Sequence, residues 1–246
     1  MNIIISDIDG TLLGDRVGLA DFNQYIEGIR DKVFLVYATG RSYGEYLNAL
    51  KEEGLILPNA VITSTGADIY LKNKDTYEMD KKWHEIIGSN AWNVDLVRNL
   101  LDKLPELISQ TAKNDYKASY YLNNKHLKTL EIKVIELIKS IGIKAKVISS
   151  HGIYLDILPE NCDKGEAAVY LVKKLKMSHS DVIVAGDSEN DVDLFRKFKH
   201  GIIVGNAHLA MKELLKGNDY YEATAHAAAG LLEGLRYYAG KNIFKI

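Results

Sequence analysis

Asp7 and Asp9 stand one residue apart at the end of a short apolar run, Asn2-Ile3-Ile4-Ile5-Ser6, and Gly10-Thr11 follows them. Such a run, stopped by turn residues, predicts a buried strand. Side chains at i and i+2 of an extended segment point the same way, so the two carboxylates share a face. Two carboxylates at the mouth of a sheet repel each other unless a cation lies between them or one is protonated. Both outcomes suggest chemistry, whereas Asp9 alone would read as a turn cap. Three further places sit similarly. Thr39-Gly40-Arg41 ends the apolar run 33–38, Lys164 opens a helical stretch, and Gly186-Asp187-Ser188-Glu189-Asn190-Asp191 ends the run 182–185. Each has a plain explanation by itself. Thr39 is a helix cap, Lys164 is a surface lysine at a helix start that disfavours cations, Asp187 closes a turn and Asp191 faces water. Taken together they bring carboxylates, a hydroxyl and an ammonium to one edge. Mg²⁺ typically binds through one or two carboxylates and a substrate phosphate. A lysine and a hydroxyl suit the remaining phosphate oxygens.

The elements that must position these groups alternate. Apolar runs at 2–6, 33–38 and 60–63 predict strands, and the stretches 19–29 and 43–50 between them have helical spacing. Strand, helix, strand, helix, strand is the pattern of a doubly wound parallel sheet, whose ligands bind beyond the carboxyl ends of the strands. The pattern resumes after 164 with helices at 164–175, 192–198, 209–215 and 223–238 and strands at 182–185 and 201–204. Between residues 80 and 156 it changes. Helical stretches 94–104 and 127–141 alternate with strands 118–122, 145–148 and 153–157, which predicts an inserted antiparallel sheet with helices on one face.

The totals exclude several classes. The 246 residues are 47% hydrophobic and 26% charged, an ordinary globular composition. A net charge of −2 leaves no electrostatic footprint for nucleic acid. No apolar run is long enough to span a bilayer. Cys162 stands alone, so no internal disulfide forms, and together with the absence of a leader this predicts a cytoplasmic protein. Cys162 itself reads as a packed residue.

The four groups, Asp7-Ile8-Asp9-Gly10-Thr11, Thr39-Gly40-Arg41, Lys164 and Gly186-Asp187-Ser188-Glu189-Asn190-Asp191, resemble in order and spacing the four motifs of the haloacid dehalogenase superfamily. The insertion between the second and third resembles that superfamily's C2-type cap. Closer similarity is to its sucrose-phosphate phosphatase group. It is carried by Tyr37-Ala38-Thr39-Gly40-Arg41-Ser42-Tyr43, Lys117-Ala118-Ser119-Tyr120, Lys164-Gly165-Glu166-Ala167 and Gly201-Ile202-Ile203-Val204-Gly205-Asn206-Ala207. Gly66-Ala67-Asp68-Ile69 departs from it, with Asp where that group often has Glu, and the shorter side chain is expected to reshape the pocket.

The resemblance implies a Rossmann-like core over 1–79 and 158–246, a cap over 80–157, and Mg²⁺-dependent hydrolysis of a phosphorylated sugar, foremost a disaccharide phosphate such as sucrose 6-phosphate. It assigns Asp7 as the nucleophile that forms an aspartyl-phosphate. Asp9 becomes the general acid and then the base, which requires a raised pKa. Asp7, Asp9 and Asp187 are the implied metal ligands, with Asn190 and Asp191 orienting the metal's surroundings. Thr39 and Lys164 hold phosphoryl oxygens, with Gly40 and Arg41 beside them. Lys117, Ser119, Tyr120 and Asp156 are the implied sugar contacts in the cap. Lys117 and Ser119 also read as the wet face of a strand, with Tyr120 in the cap core.

Trp83 and Trp92 read as cap-core residues. His84, His126 and His151 lack metal-ligand spacing and are expected to face solvent, while His208 and His226 read as surface or capping residues. Other readings use the same residues. A receiver protein also accepts phosphate on Asp, but one domain is about half this length. A phosphosugar mutase would pass the phosphoryl group to a hydroxyl, and a phosphatase for another glycosyl phosphate would differ only in its cap.

Overall fold

In this computed structural model, residues 1–88, 92–123 and 127–245 are described, so His126 lies outside the described residues. Strand β1 (Asn2–Ser6) is buried along its whole length. Central parallel strands are covered on both faces, which is why this one reads as a continuous apolar run. Helix α1 (Arg16–Gly28) follows, capped by the Asp15 side chain. Next come β2 (Val33–Ala38) and α2 (Tyr43–Glu52), which opens on a capping box between Ser42 and Glu45. Ser42, not Thr39, is therefore the helix cap. Strand β3 (Ala60–Thr63) leads through a short 3₁₀ turn into the hairpin β4 (Asp68–Asn73) and β5 (Thr76–Met79).

The insertion comprises α3 (Lys81–Ile87), α4 (Val94–Leu101), β6 (Leu107–Ser109), β7 (Ala118–Leu122), α5 (Leu127–Ser140), β8 (Ala145–Ser150) and β9 (Tyr154–Pro159). The chain then returns with α6 (Lys164–Lys174), β10 (Val182–Gly186), α7 (Val192–Lys197), β11 (His200–Ile203), α8 (Leu209–Leu215), β12 (Tyr221–Glu222) and α9 (Ala227–Gly240).

Among the described residues the large sheet runs β12-β11-β10-β1-β2-β3-β4-β5. Its strands are parallel from β12 to β3, while β4 and β5 add an antiparallel edge. The strand order reverses around β1, between β10 and β2, which is where such sheets open a crevice for ligands. The small sheet, β6-β7-β9-β8, is antiparallel throughout. Alternation along it separates two faces. Ala118, Tyr120, Leu155 and Ile157 join Val97 and Leu101 of α4 and Val134 and Ile138 of α5 in a second core. The opposite face carries Lys117, Tyr121, Tyr154 and Asp156 toward the large sheet.

Two expectations are corrected. Trp83 does not pack in the cap core. It joins Ile87 in the core of the large sheet, and its indole N–H donates to the Gly66 carbonyl at 2.9 Å. His84 does not face solvent. Its Nε2 lies 2.9 Å from Asp68 Oδ1. Trp92 does pack against the second core.

Candidate active site

The crevice beyond β1 and β10 is lined with acid. Asp7 directly follows β1, and its amide N–H donates to the Ala185 carbonyl of β10, at 3.0 Å. Asp187 follows β10 and, like Asp7, is almost fully buried. Gly10 permits their approach. A Cβ there would lie 2.3 Å from Asp187 Oδ2, and its φ of +80° is a glycine conformation. Thr11 Oγ1 donates to Asp187 Oδ1 at 3.4 Å.

Lys164, at the start of α6, has no exposed surface. Its ammonium donates to Asp7 Oδ1 at 2.7 Å, Asp191 Oδ1 at 2.7 Å and Asn190 Oδ1 at 3.0 Å. Asp191 Oδ2 accepts the amides of Asp187 and Ser188 at 3.1 and 3.2 Å. With both oxygens engaged by protein donors, Asp191 holds the turn and the lysine in place.

Burial pushes the Asp7 carboxyl well above its ordinary range. Lys164 opposes that rise, and Asp191 and Asp187 add to it. Burial, reinforced by the charge of Asp191, raises Asp187 to about 7. Burial also disfavours the charge on Lys164, but Asp191 and Asp7 outweigh it and hold the ammonium above its usual value. One cation therefore faces three buried carboxylates. Asp7, Asp187 and Asp191 each present an oxygen within 4.8 Å of the others, an all-oxygen donor set that suits a hard divalent cation. The carboxylate of Asp9 lies outside that group. Arg41 clasps it instead, Nε to Oδ2 at 2.8 Å and NH2 to Oδ1 at 2.5 Å.

Thr39 is buried at the end of β2, and its hydroxyl accepts the Arg41 amide at 3.1 Å. Gly40 and Arg41 line the cleft above it. The cleft holds about 510 Å³ and runs from Asp7, Asp9, Ser188 and Asn190 to Lys117, Tyr121 and Asp156 of the small sheet. Lys117 and Asp156 pair at 2.9 Å. Lys117 Nζ also reaches the Gly40 carbonyl at 3.1 Å and Thr65 Oγ1 at 3.0 Å, while the Thr65 hydroxyl donates to Asp156 at 2.7 Å. These two residues thus tie the insertion to the loops that follow β2 and β3.

Ser119 sits beside Asp156 in the ladder, half-buried. Tyr120 is corrected. It is fully buried on the second core's side, and its hydroxyl donates to Asp102 at 2.9 Å. Strand alternation gives the cleft to Tyr121 instead, together with Gln110, Tyr154 and Glu45, none of which belongs to a motif. Asp68 does not line the cleft. It accepts from Asn114 at 2.7 Å and meets His84, beneath the junction of the two sheets.

Residues 1–239 match the family model described as sucrose-6F-phosphate phosphohydrolase. A probable sucrose-phosphatase 3b of Arabidopsis thaliana is 33% identical over 87% of this chain and 52% of its own length. The chain thus spans about half the length of the first plant relatives it matches. A mannosylfructose-phosphate phosphatase of Agrobacterium fabrum is 27% identical over 97% of both chains. The structure of the sucrose-phosphatase from Synechocystis in complex with sucrose and phosphate superposes with a TM-score of 0.90 at 32% identity, over 97% of this chain and 98% of that one. This chain belongs to the sucrose-6F-phosphate phosphohydrolase family, a phosphatase family of the haloacid dehalogenase superfamily.

Proposed function

We propose that the chain hydrolyses a phosphorylated sugar, foremost a disaccharide phosphate such as sucrose 6-phosphate, through a phosphoryl group carried on Asp7. The observation that carries this reading is the Asp7–Lys164–Asp191 triad beside Asp187, set at the floor of a cleft whose roof is the small sheet. We take residues 80–157 as the cap and the remainder as the core, with α3 as the connecting helix.

Asp7 attacks phosphorus, and the bond to the sugar oxygen breaks. Asp9 gives that oxygen a proton and later takes one from the water that opens the acyl phosphate. Arg41 must release Asp9 for this, so the clasp at the cleft mouth is a ground-state contact that substrate displaces. Lys164 faces Asp7 and meets the charge on the phosphoryl oxygens, and the buried Thr39 hydroxyl lies next to their path. Asp7, Asp9 and Asp187 would hold a divalent cation, with Asp191, whose two oxygens are bound by protein donors, orienting the site, and we name Mg²⁺ because the donors are all oxygen. Bound there, Mg²⁺ would screen the nucleophile from the phosphate dianion and polarise a phosphoryl oxygen.

The roof favours a hydroxylated, partly apolar leaving group. Gln110 offers hydrogen bonds, as does Glu45 from α2 on the core side, and Tyr121 and Tyr154 offer aromatic surface in the same cleft. A site built on hydroxyl contacts discriminates strongly against esters that lack them. The test compares kcat/KM for sucrose 6-phosphate, a mannosylfructose phosphate, glucose 6-phosphate and p-nitrophenyl phosphate. A disaccharide phosphate should lead. An aryl ester equal to every sugar phosphate overturns sugar specificity, and a lead for the mannosyl ester overturns only the sucrose assignment.

A further inference from the structure

Two histidines that the phosphatase mechanism does not use meet across the two sheets. His151 stands in the turn between β8 and β9, with φ +57°, and lines the cleft. His208 precedes α8, on the core side, and its side chain makes no capping bond. Their rings meet edge to face with centroids 4.4 Å apart. Glu189 joins them. Its carboxylate accepts the His151 backbone N–H at 3.2 Å and lies 3.6 Å from His208 Nδ1. Next to the pair is Asp187, and one ligand atom from each of His151, Asp187 and His208 lies within 4.8 Å of the other two.

We propose that His151, His208 and Asp187 form a second, inhibitory site for a borderline transition-metal ion such as Zn²⁺, complete only when the cap is seated on the core. Two imidazoles and a carboxylate are the donors of three-ligand zinc sites, with a fourth position left to water. Imidazole favours Zn²⁺, Ni²⁺ and Cu²⁺, whereas the neighbouring all-carboxylate set favours Mg²⁺. The Glu189 carboxylate, 3.6 Å from His208 Nδ1, stands beside this ring, as outer carboxylates do beside imidazoles that ligate metals. Because Asp187 belongs to both donor sets, an ion held here draws that carboxylate away from the catalytic cation. Because His151 comes from the cap and His208 from the core, the same ion pins the cleft shut.

The test titrates Zn²⁺ calorimetrically into the full chain in excess Mg²⁺, for wild type, His151→Ala, His151→Gln, His208→Ala and the exposed control His226→Ala. Wild type and His226→Ala should bind one ion alike, and the other three at least tenfold more weakly. Co²⁺ should give an intense visible band in wild type, typical of tetrahedral nitrogen and oxygen ligation, that is lost in the His151 and His208 variants. Zinc inhibition, read against each variant's own rate in Mg²⁺, should shift with the binding constants. Equal Zn²⁺ affinity in wild type and all three variants overturns the site, because the ion would then sit on carboxylates alone. The binding and absorption measurements need no substrate, so they stand or fall apart from the phosphatase reading.

Discussion

Without a divalent cation, the acidic crevice should make this protein less stable as the pH rises. Asp187 is raised from 3.8 to about 7, with burial as the largest cause and Asp191 next. The native state therefore holds a proton that the unfolded chain has already released, and stability falls with pH across that interval. The penalty is absent below about pH 4, grows from there, and is complete above about pH 7. Moving one carboxyl between those values costs on the order of 4 kcal/mol. For a chain of 246 residues this is roughly 10 °C in melting temperature. The assay is thermal melting from pH 4.5 to 8 in chelator and again in millimolar Mg²⁺, for wild type and Asp187→Asn. In chelator, wild type should lose melting temperature with rising pH while Asp187→Asn stays flatter and melts higher at pH 8. Mg²⁺ should restore wild type and leave the variant nearly unchanged. Equal pH slopes for the two proteins in chelator, or a variant that melts lower at pH 8, would refute the claim that burial beside Asp191 makes the ionised Asp187 costly.

Gly10→Ala should cut kcat/KM by about 10²-fold and raise the Mg²⁺ requirement, because the added Cβ lands 2.3 Å from Asp187 Oδ2 and displaces it; unchanged metal dependence would contradict that. Lys117→Ala leaves Asp156 buried without its cation and should cost about 3–5 kcal/mol by chemical denaturation, whereas Lys117→Met with Asp156→Leu should recover much of it. Tyr120→Phe should cost about 1 kcal/mol of stability with an unaltered KM, while Tyr121→Ala should raise KM for a sugar phosphate and spare p-nitrophenyl phosphate.

Much of the site was legible because its groups sit where a repeating element ends. Asp7, Thr39 and Asp187 each follow an apolar run, Lys164 opens a helix, and a doubly wound sheet brings those ends together. What stayed hidden depends on pairings between distant segments. Nothing near Asp9 in the chain points to Arg41, and nothing near His84 points to Asp68, yet both pairs form through the fold. His151 and His208 show no ligand spacing because one lies in a hairpin turn and the other at a helix start, and only cap placement joins them. Tyr120 is a different lesson. The motif drew attention to it, but the two-residue period that pairs Lys117 with Ser119 continues to Tyr121 and sends Tyr120 inward. The β4–β5 edge is hard to read in the sequence, since Lys72 to Thr76, from the end of β4 through the turn to the start of β5, is polar and exposed.

The most direct measurement of the central claim is mass spectrometry of acid-quenched enzyme during turnover of a sugar phosphate. The mechanism predicts one phosphoryl group on the peptide that carries Asp7, none on the matching peptide of Asp7→Asn, and no phosphate release above background by that folded variant. Phosphate release by Asp7→Asn at a rate near wild type, in protein free of contaminating phosphatase, would contradict it.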